Sequence, residues 1–434
     1  MLSRQYVSRR LFLPLGARPL STAVSDGMEA MTQSLGRVSR GEPLFAGTRT
    51  TEWSSDPNFV AHVEPFPVFR RLDEQSKLLG DNGMPFSNDE AMRILDTMMR
   101  VNSYDQVLYD VQRQGRISFY MTNHGEEATQ LGVAAALKFQ DMIWPQYREL
   151  GVFLYRGFTT QQVTDQCMST QFDQGKGRQM PVHYCFPEGN IQAISSPLGT
   201  NIPHAAGAGY SFKLDEADRC AVTFFGDGAA SEGDFATALN FASVMKTQTI
   251  FICRNNGYAI STPVSEQYAG DGIAIRGVAY GVPSLRVDGN DVIAVYEAVR
   301  KAREMTVGEV SKANGLALGC PSGLRIGRLR YRPDAEVKSW VSDGTDPISR
   351  FRNLLIKLGL TTEEDCVKLG KKYRTEVLEC LKISAKQKRA PIIDMFNDVY
   401  DEIPWHLQEQ YDELRAHIER HPTAYNLNLY ERDP

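Results

Sequence analysis

The stretch CAVTFFGDGAASEGDFATALNFASVMKTQTIFICRNNGYAIS, residues 220–261, decides the fold. CAVTFF (220–225) and TIFIC (249–253) are short apolar runs rich in β-branched and aromatic residues, and DFATALNFASVMK (234–246) between them has helical spacing. A strand, a helix and a strand, each short, predict a βαβ unit in a parallel sheet buried on both faces. Ligands of such sheets sit beyond the carboxyl ends of the strands. The first strand ends at Gly226, Asp227 and Gly228; the second runs into Arg254, Asn255, Asn256, Gly257 and Tyr258. The two glycines are expected to let the backbone turn tightly and approach a ligand, and the helix start that follows to offer N–H groups to a phosphate. An aspartate there would repel the phosphate unless a cation lay between them, so Asp227 predicts a metal. A hard divalent ion such as magnesium takes oxygen ligands from protein, phosphate and water. Asn256 can give an amide oxygen, Tyr258 a backbone carbonyl, and Arg254 a bidentate grip on a phosphate.

The same theme extends outward. LRVDG followed by VIAVYEAVRKAREM repeats the strand–helix alternation, and AMRILDTMMRVNSYDQVLYDVQRQG, with Ser87 and Asn88 as caps and Gly115 as a stop, predicts a long helix, as EEATQLGVAAALK predicts a shorter one. The expected fold class is α/β: a parallel sheet with helices on both faces (residues 86–345), an extended Gly/Pro-rich N-terminal arm (26–85) and a helical C-terminal extension (346–434). Residues 1–25 carry Arg4, Arg9, Arg10 and Arg18 and no acid, the composition of a mitochondrial transit peptide; removing them takes the formal charge from -5 to -9. An acidic chain argues against nucleic-acid and anionic-membrane partners, and no apolar run reaches the roughly 18 residues of a bilayer-spanning helix. The 7 cysteines form no CxxC pair, which fits reduced structural thiols and excludes zinc-ribbon and dithiol motifs.

GDG, then the 26 residues 229–254, then Asn-Asn, with strand, helix and strand between, resembles the motif of thiamine diphosphate-dependent enzymes. Around it, GRISFYMTNHGEEATQLGVAAAL, QYRELGVFLYRG, GKGRQMPVHY and ISSPLGTNIPHAAGAGY are similar to the alpha subunit of branched-chain 2-oxo acid dehydrogenases, over roughly residues 60–306 and 331–430. The resemblance implies a thiamine diphosphate-binding fold. It implies that Tyr147, Arg148, Gly228, Ala229 and Arg254 contact the cofactor diphosphate and that Asp227, Asn256 and Tyr258 hold magnesium, with aspartate in a place where the family often has glutamate. It also implies a potassium loop at SSPLGTN, with Ser195, Pro197, Thr200 and Asn201 as ligands, Asn201 standing for the usual glutamine; a plain helix-capping turn is the other reading of that loop. The implied activity is oxidative decarboxylation of branched-chain 2-oxo acids in the mitochondrial matrix, with acyl transfer to a lipoyl group of the acyltransferase core. The implied assembly is an α2β2 heterotetramer in which a beta subunit supplies the carboxylate that activates the cofactor.

One region departs from the family. Where a histidine-bearing loop with a kinase-modified serine is expected, residues 308–330 read GEVSKANGLALGCPSGLRIGRLR, and no histidine occurs between His204 and His406. The catalytic residue is therefore unassigned and the expected apolar strand is lacking, whether as a real variant or, the reading favoured here, a defective gene model. A subunit acting on pyruvate or acetoin and a non-catalytic thiamine-binding subunit are the rival functions. His183 either faces the active-site funnel or is a hydrogen-bonded structural imidazole, and His204 is expected to pack rather than react.

Overall fold

The alternation read from residues 220–261 folds as a parallel sheet. The computed structural model describes residues 55–57, 59, 64–307, 316–321 and 344–432, the strand 316–321 by its backbone alone. The segment 1–25 read as a transit peptide, most of the stretch read as an arm and the remainder of 308–330 lie outside the described residues. Strands β1 (Val68–Phe69), β2 (Met142–Trp144), β3 (Ala221–Gly226), β4 (Thr249–Asn255), β7 (Ser284–Val287) and β8 (Leu316–Pro321) form one sheet in the order β1-β7-β8-β4-β3-β2, and β5 (Tyr258–Ala259) pairs with β6 (Thr262–Pro263) in a small hairpin. Every pairing in the large sheet is parallel.

The helices are α1 (Asn88–Arg113), α2 (Glu127–Ala136), α3 (Leu150–Tyr155), α4 (Thr160–Cys167), α5 (Asn201–Leu214), α6 (Gly233–Met245), α7 (Val264–Gln267), α8 (Ala274–Ala279), α9 (Val292–Val307), α10 (Pro347–Lys357), α11 (Glu363–Ser384) and α12 (Trp405–Arg420). Ser87 caps α1 by accepting the Glu90 N–H at 3.2 Å, and Gly115 lies just beyond its end at φ +72. These are the signals the sequence offered.

Successive residues of a strand point to opposite faces, and β3 and β4 show that both faces are covered. Val222, Phe224, Ile250 and Ile252 join the larger core with α1, α2, α9, α10 and α11, whereas Phe225, Phe251 and Cys253 join a second core with α5 and α6. This is why the two strands are apolar over most of their length. The C-terminal helices share the larger core through Phe351, Leu355, Tyr373 and Val377.

One finding differs from expectation and a second adds to it. Residues 316–321, in the region read as lacking a strand, pair with β4 along its length and with β7, filling the middle of the sheet. The physical reason is that β4 and β7 each present a backbone edge that a buried sheet must satisfy. Val68 and Phe69, within the stretch read as an arm, pair with Arg286 and Val287 as an edge strand.

Candidate functional site

Register places the site. Gly226 of β3 pairs with Arg254 of β4, so Asp227 and the segment from Asn255 to Tyr258 leave the sheet together at its carboxyl edge. The β2 register, Trp144 opposite Thr223, brings QYRE (146–149) to the same edge. Gly226 and Gly228 both lie outside the left-handed region, Gly228 at φ -63. Its lack of a side chain serves close approach: a Cβ there would lie 2.8 Å from the Cβ of Ala259, so glycine lets the β5 hairpin close over the GDG loop. The chain next makes a 3-10 turn, Ala229–Ser231, before α6 begins.

Arg254 is the centre of the arrangement, with its side chain 2% exposed. One terminal nitrogen donates to Glu126, the other to the Gln146 side-chain oxygen at 3.0 Å, and Nε lies against Glu149. Both carboxylates are fully buried. Burial works against the charge of Glu126, but Arg254, Arg148 and Asn256 outweigh it and hold the carboxyl below the usual glutamate range. Burial wins at Glu149, raising it, because Arg254 Nε and Glu149 Oε1 touch as an ion pair without hydrogen-bond alignment and Glu126 repels it. The other Glu149 oxygen accepts the Gln146 N–H at 2.6 Å, folding QYRE into a turn. Arg148 is buried, donates to the Thr122 carbonyl, and lies 5.4 Å from the centroid of the half-buried Tyr147 ring.

Asp227 is 1% exposed, and burial pushes its carboxyl up. Gln267 of α7 donates to Asp227 Oδ2 at 2.7 Å and Glu126 adds repulsion, so a cation here would offset an existing cost. Asn256 donates its amide to Glu126 Oε1 at 2.8 Å and accepts the Tyr258 N–H on Oδ1 at 3.2 Å. Among the described residues no three His, Cys, Asp or Glu side chains gather into a metal cluster. A centre here would be of the other kind, one carboxylate with amide, carbonyl and phosphate oxygens, which suits magnesium.

The SSPLGTN loop brings together Ser195, Pro197 and Thr200: Thr200 Oγ1 lies 3.0 Å from Ser195 Oγ and 3.1 Å from the Pro197 carbonyl. Thr200 precedes α5 but its side chain caps no helix N–H. Asn201 is tied elsewhere by its nitrogen, donating to the Phe224 carbonyl at 2.7 Å and to Thr223 Oγ1 at 3.2 Å. His183 is the structural imidazole: Nδ1 donates to the Pro181 carbonyl at 3.1 Å, leaving Nε2 to accept from Ser196 at 2.8 Å and brace this loop. His204 is exposed on α5 rather than packed.

Sequence reasoning missed Glu126, Gln146, Glu149, Gln267 and Ser196. Gln146 and Glu149 lie in QYRE, where an amide and an acid beside Arg148 were the available signal, whereas Glu126 lies in NHGEEA with no arginine near it in sequence.

The dehydrogenase E1 component family model matches residues 95–310. The chain is 41% identical over 432 residues to 2-oxoisovalerate dehydrogenase subunit alpha 1, mitochondrial, of Arabidopsis thaliana, covering 97% of this chain and 90% of the relative. It is 45% identical over 402 residues to the corresponding alpha subunit of Caenorhabditis elegans (90% and 92% covered) and 42% over 385 residues to that of Homo sapiens (87% and 84%). With that identity spread across nearly the whole of both partners in each comparison, the chain belongs to the family of 2-oxoisovalerate dehydrogenase alpha subunits among the dehydrogenase E1 components.

Proposed function

We propose that this protein is the alpha subunit of a mitochondrial branched-chain 2-oxo acid dehydrogenase, working with a beta subunit and passing its acyl product to the lipoyl group of an acyltransferase core. The observation that carries the reading is the β3–β4 register, which sets one buried carboxylate, Asp227, beside Asn256 and a buried arginine at the carboxyl edge of a parallel sheet. Thiamine diphosphate, when bound, supplies the electron sink that makes loss of carbon dioxide from a 2-oxo acid possible.

This chain's residues bind and orient. Arg254 and Arg148, with Tyr147 and the backbone of Gly228 and Ala229, grip the diphosphate; Asp227, Asn256 and the Tyr258 carbonyl hold the magnesium ion that neutralises it. The fit is electrostatic. Burial dominates at Asp227 despite the Gln267 hydrogen bond and the charge of Arg254, and a divalent ion beside it would favour the charged carboxylate. Ser195, Pro197, Thr200 and Asn201 hold potassium in the loop that His183 braces. Residues 1–25 serve as the transit peptide.

The test is the full chain purified with its beta subunit and assayed for decarboxylation of 2-oxoisovalerate and of pyruvate, with and without chelator, beside Asp227→Ala. Preference for 2-oxoisovalerate, lost with chelator and in the variant, is expected. Preference for pyruvate would overturn the substrate assignment, and cofactor retention indifferent to both chelator and variant would overturn the metal site. The absence of any histidine between His204 and His406 favours one second reading, a subunit that binds cofactor without turnover; retention of thiamine diphosphate with no decarboxylation of either acid would establish it.

A further inference from the structure

We infer that Glu126 is a positioning residue that decides which face of the Asn256 amide is presented to the cation, and so ties the metal ligand to the diphosphate-gripping arginine. The inference rests on the thiamine diphosphate–magnesium reading above. Glu126 stands immediately before α2, far in sequence from β4, and is 1% exposed. Its two carboxylate oxygens are divided: Oε2 takes a terminal N–H of Arg254, and Oε1 takes the Asn256 amide N–H at 2.8 Å. An ionised carboxylate only accepts. Paired directly with Arg254, it must meet the nitrogen of the Asn256 side chain and never its oxygen.

The rest follows from the shape of an amide. With Nδ2 held on Glu126, Oδ1 faces the other way, where it accepts the Tyr258 N–H at 3.2 Å. Were the amide reversed, a donor would point where a cation requires an oxygen. Groups that orient a metal ligand in this way typically govern metal affinity by roughly 10–100-fold. Gln267 does a parallel service for Asp227, fixing its carboxylate by donating to Oδ2 at 2.7 Å. Glu126 touches both the ligand set and the phosphate grip.

The experiment uses the full chain co-purified with its beta subunit and reads magnesium binding by calorimetric titration at fixed thiamine diphosphate, with the apo melting temperature measured alongside. Glu126→Gln offers one acceptor and one donor in place of two acceptors. The introduced oxygen stays on Arg254 and the introduced nitrogen forces the Asn256 amide to reverse, so the magnesium dissociation constant rises by roughly 10–100-fold. In that background Asn256→Asp supplies a side chain that accepts from the introduced nitrogen and still turns an oxygen to the ion, so affinity recovers. In the wild-type background the same Asn256→Asp faces Glu126 with a second carboxylate, and affinity falls.

This reversal of sign is the signature of positioning; a merely structural Glu126 would give losses that accumulate. If wild type binds magnesium and Glu126→Gln binds it as tightly, or if the double variant binds no better than Asn256→Asp alone, the inference is wrong while the cofactor reading stands. If wild type itself binds no magnesium with thiamine diphosphate, the cofactor reading fails and takes the inference with it. Should Glu126→Gln fail to fold, the comparison of the double variant with Asn256→Asp still decides.

Discussion

Replacing Arg254 with methionine, which is similar in length but uncharged, should reverse the pH dependence of stability around the site. In the wild type Arg254 compensates Glu126 and Glu149, all three side chains being at most 2% exposed. Removing one partner of a buried ion pair typically costs about 3–5 kcal/mol, because the charge left behind has no water to return to. The compact unit Glu64–Pro434 has about 370 residues, and at about 2.1 cal/mol/K per residue its unfolding entropy is about 0.8 kcal/mol/K, which translates that cost into a melting temperature about 4–6 °C lower. Glu126 in the wild type has a folded value below its unfolded one, so its contribution is present at neutral pH and is lost as pH falls through the folded value. In Arg254→Met, burial acts on Glu126 with less opposition and adds to the rise already present at Glu149. Both then prefer to be protonated, and stability is regained as pH falls. Thermal melts of wild type and variant, followed by circular dichroism across mildly acidic to mildly alkaline buffers, should show a deficit that is largest at alkaline pH and narrows toward acid. A deficit that is absent, or that widens toward acid, would refute the compensation described.

Two further outcomes test the packing and the loop behind Arg148. On α5, a Cβ at Gly209 would lie 2.1 Å from Thr249 Oγ1 and 2.8 Å from the Gln248 carbonyl, whereas Gly207 has nothing within 4 Å; Gly209→Ala should therefore destabilise by about 1–3 kcal/mol and Gly207→Ala should stabilise by roughly 0.5–1 kcal/mol, opposite signs in urea unfolding two residues apart. Asp105 is buried, and burial pushes its carboxyl up to about 6 although Asn123 and Tyr120 donate to it. A folded value above the unfolded one means that stability falls as pH rises between about 4 and 6, by about 3 kcal/mol over the window; Asp105→Asn should flatten that slope in urea midpoints, and an unchanged slope would place the titration elsewhere.

What could be read in advance was local. The β3–α6–β4 unit announces itself because strands buried on both faces are apolar at most positions, and the ends of α1 because Ser87 and Gly115 satisfy caps within their own turn. Asp227 could be singled out because an acid between glycines at a strand end has few uses. The rest depends on residues distant in the chain. Glu126 lies 128 positions from Arg254 and Gln146 lies 108, and no periodicity links a buried acid to a partner that far away. β8 escaped notice for a related reason: its place is set by the edges of β4 and β7 rather than by its own composition. Gly228 was legible as a position of close approach, and the neighbour its missing side chain admits is the hairpin.

The late arrival of β8 bears on how the chain is made. Its six residues seal β4 along Ile250–Asn255 and bridge to β7, yet they leave the ribosome after both. Until then the nascent polypeptide carries a bare, strongly apolar ladder in its midst, the kind of template on which chains stick to one another. A lesion between α9 and the end of β8 would therefore be felt first as failed biogenesis, with chaperone retention and aggregation preceding any defect in catalysis.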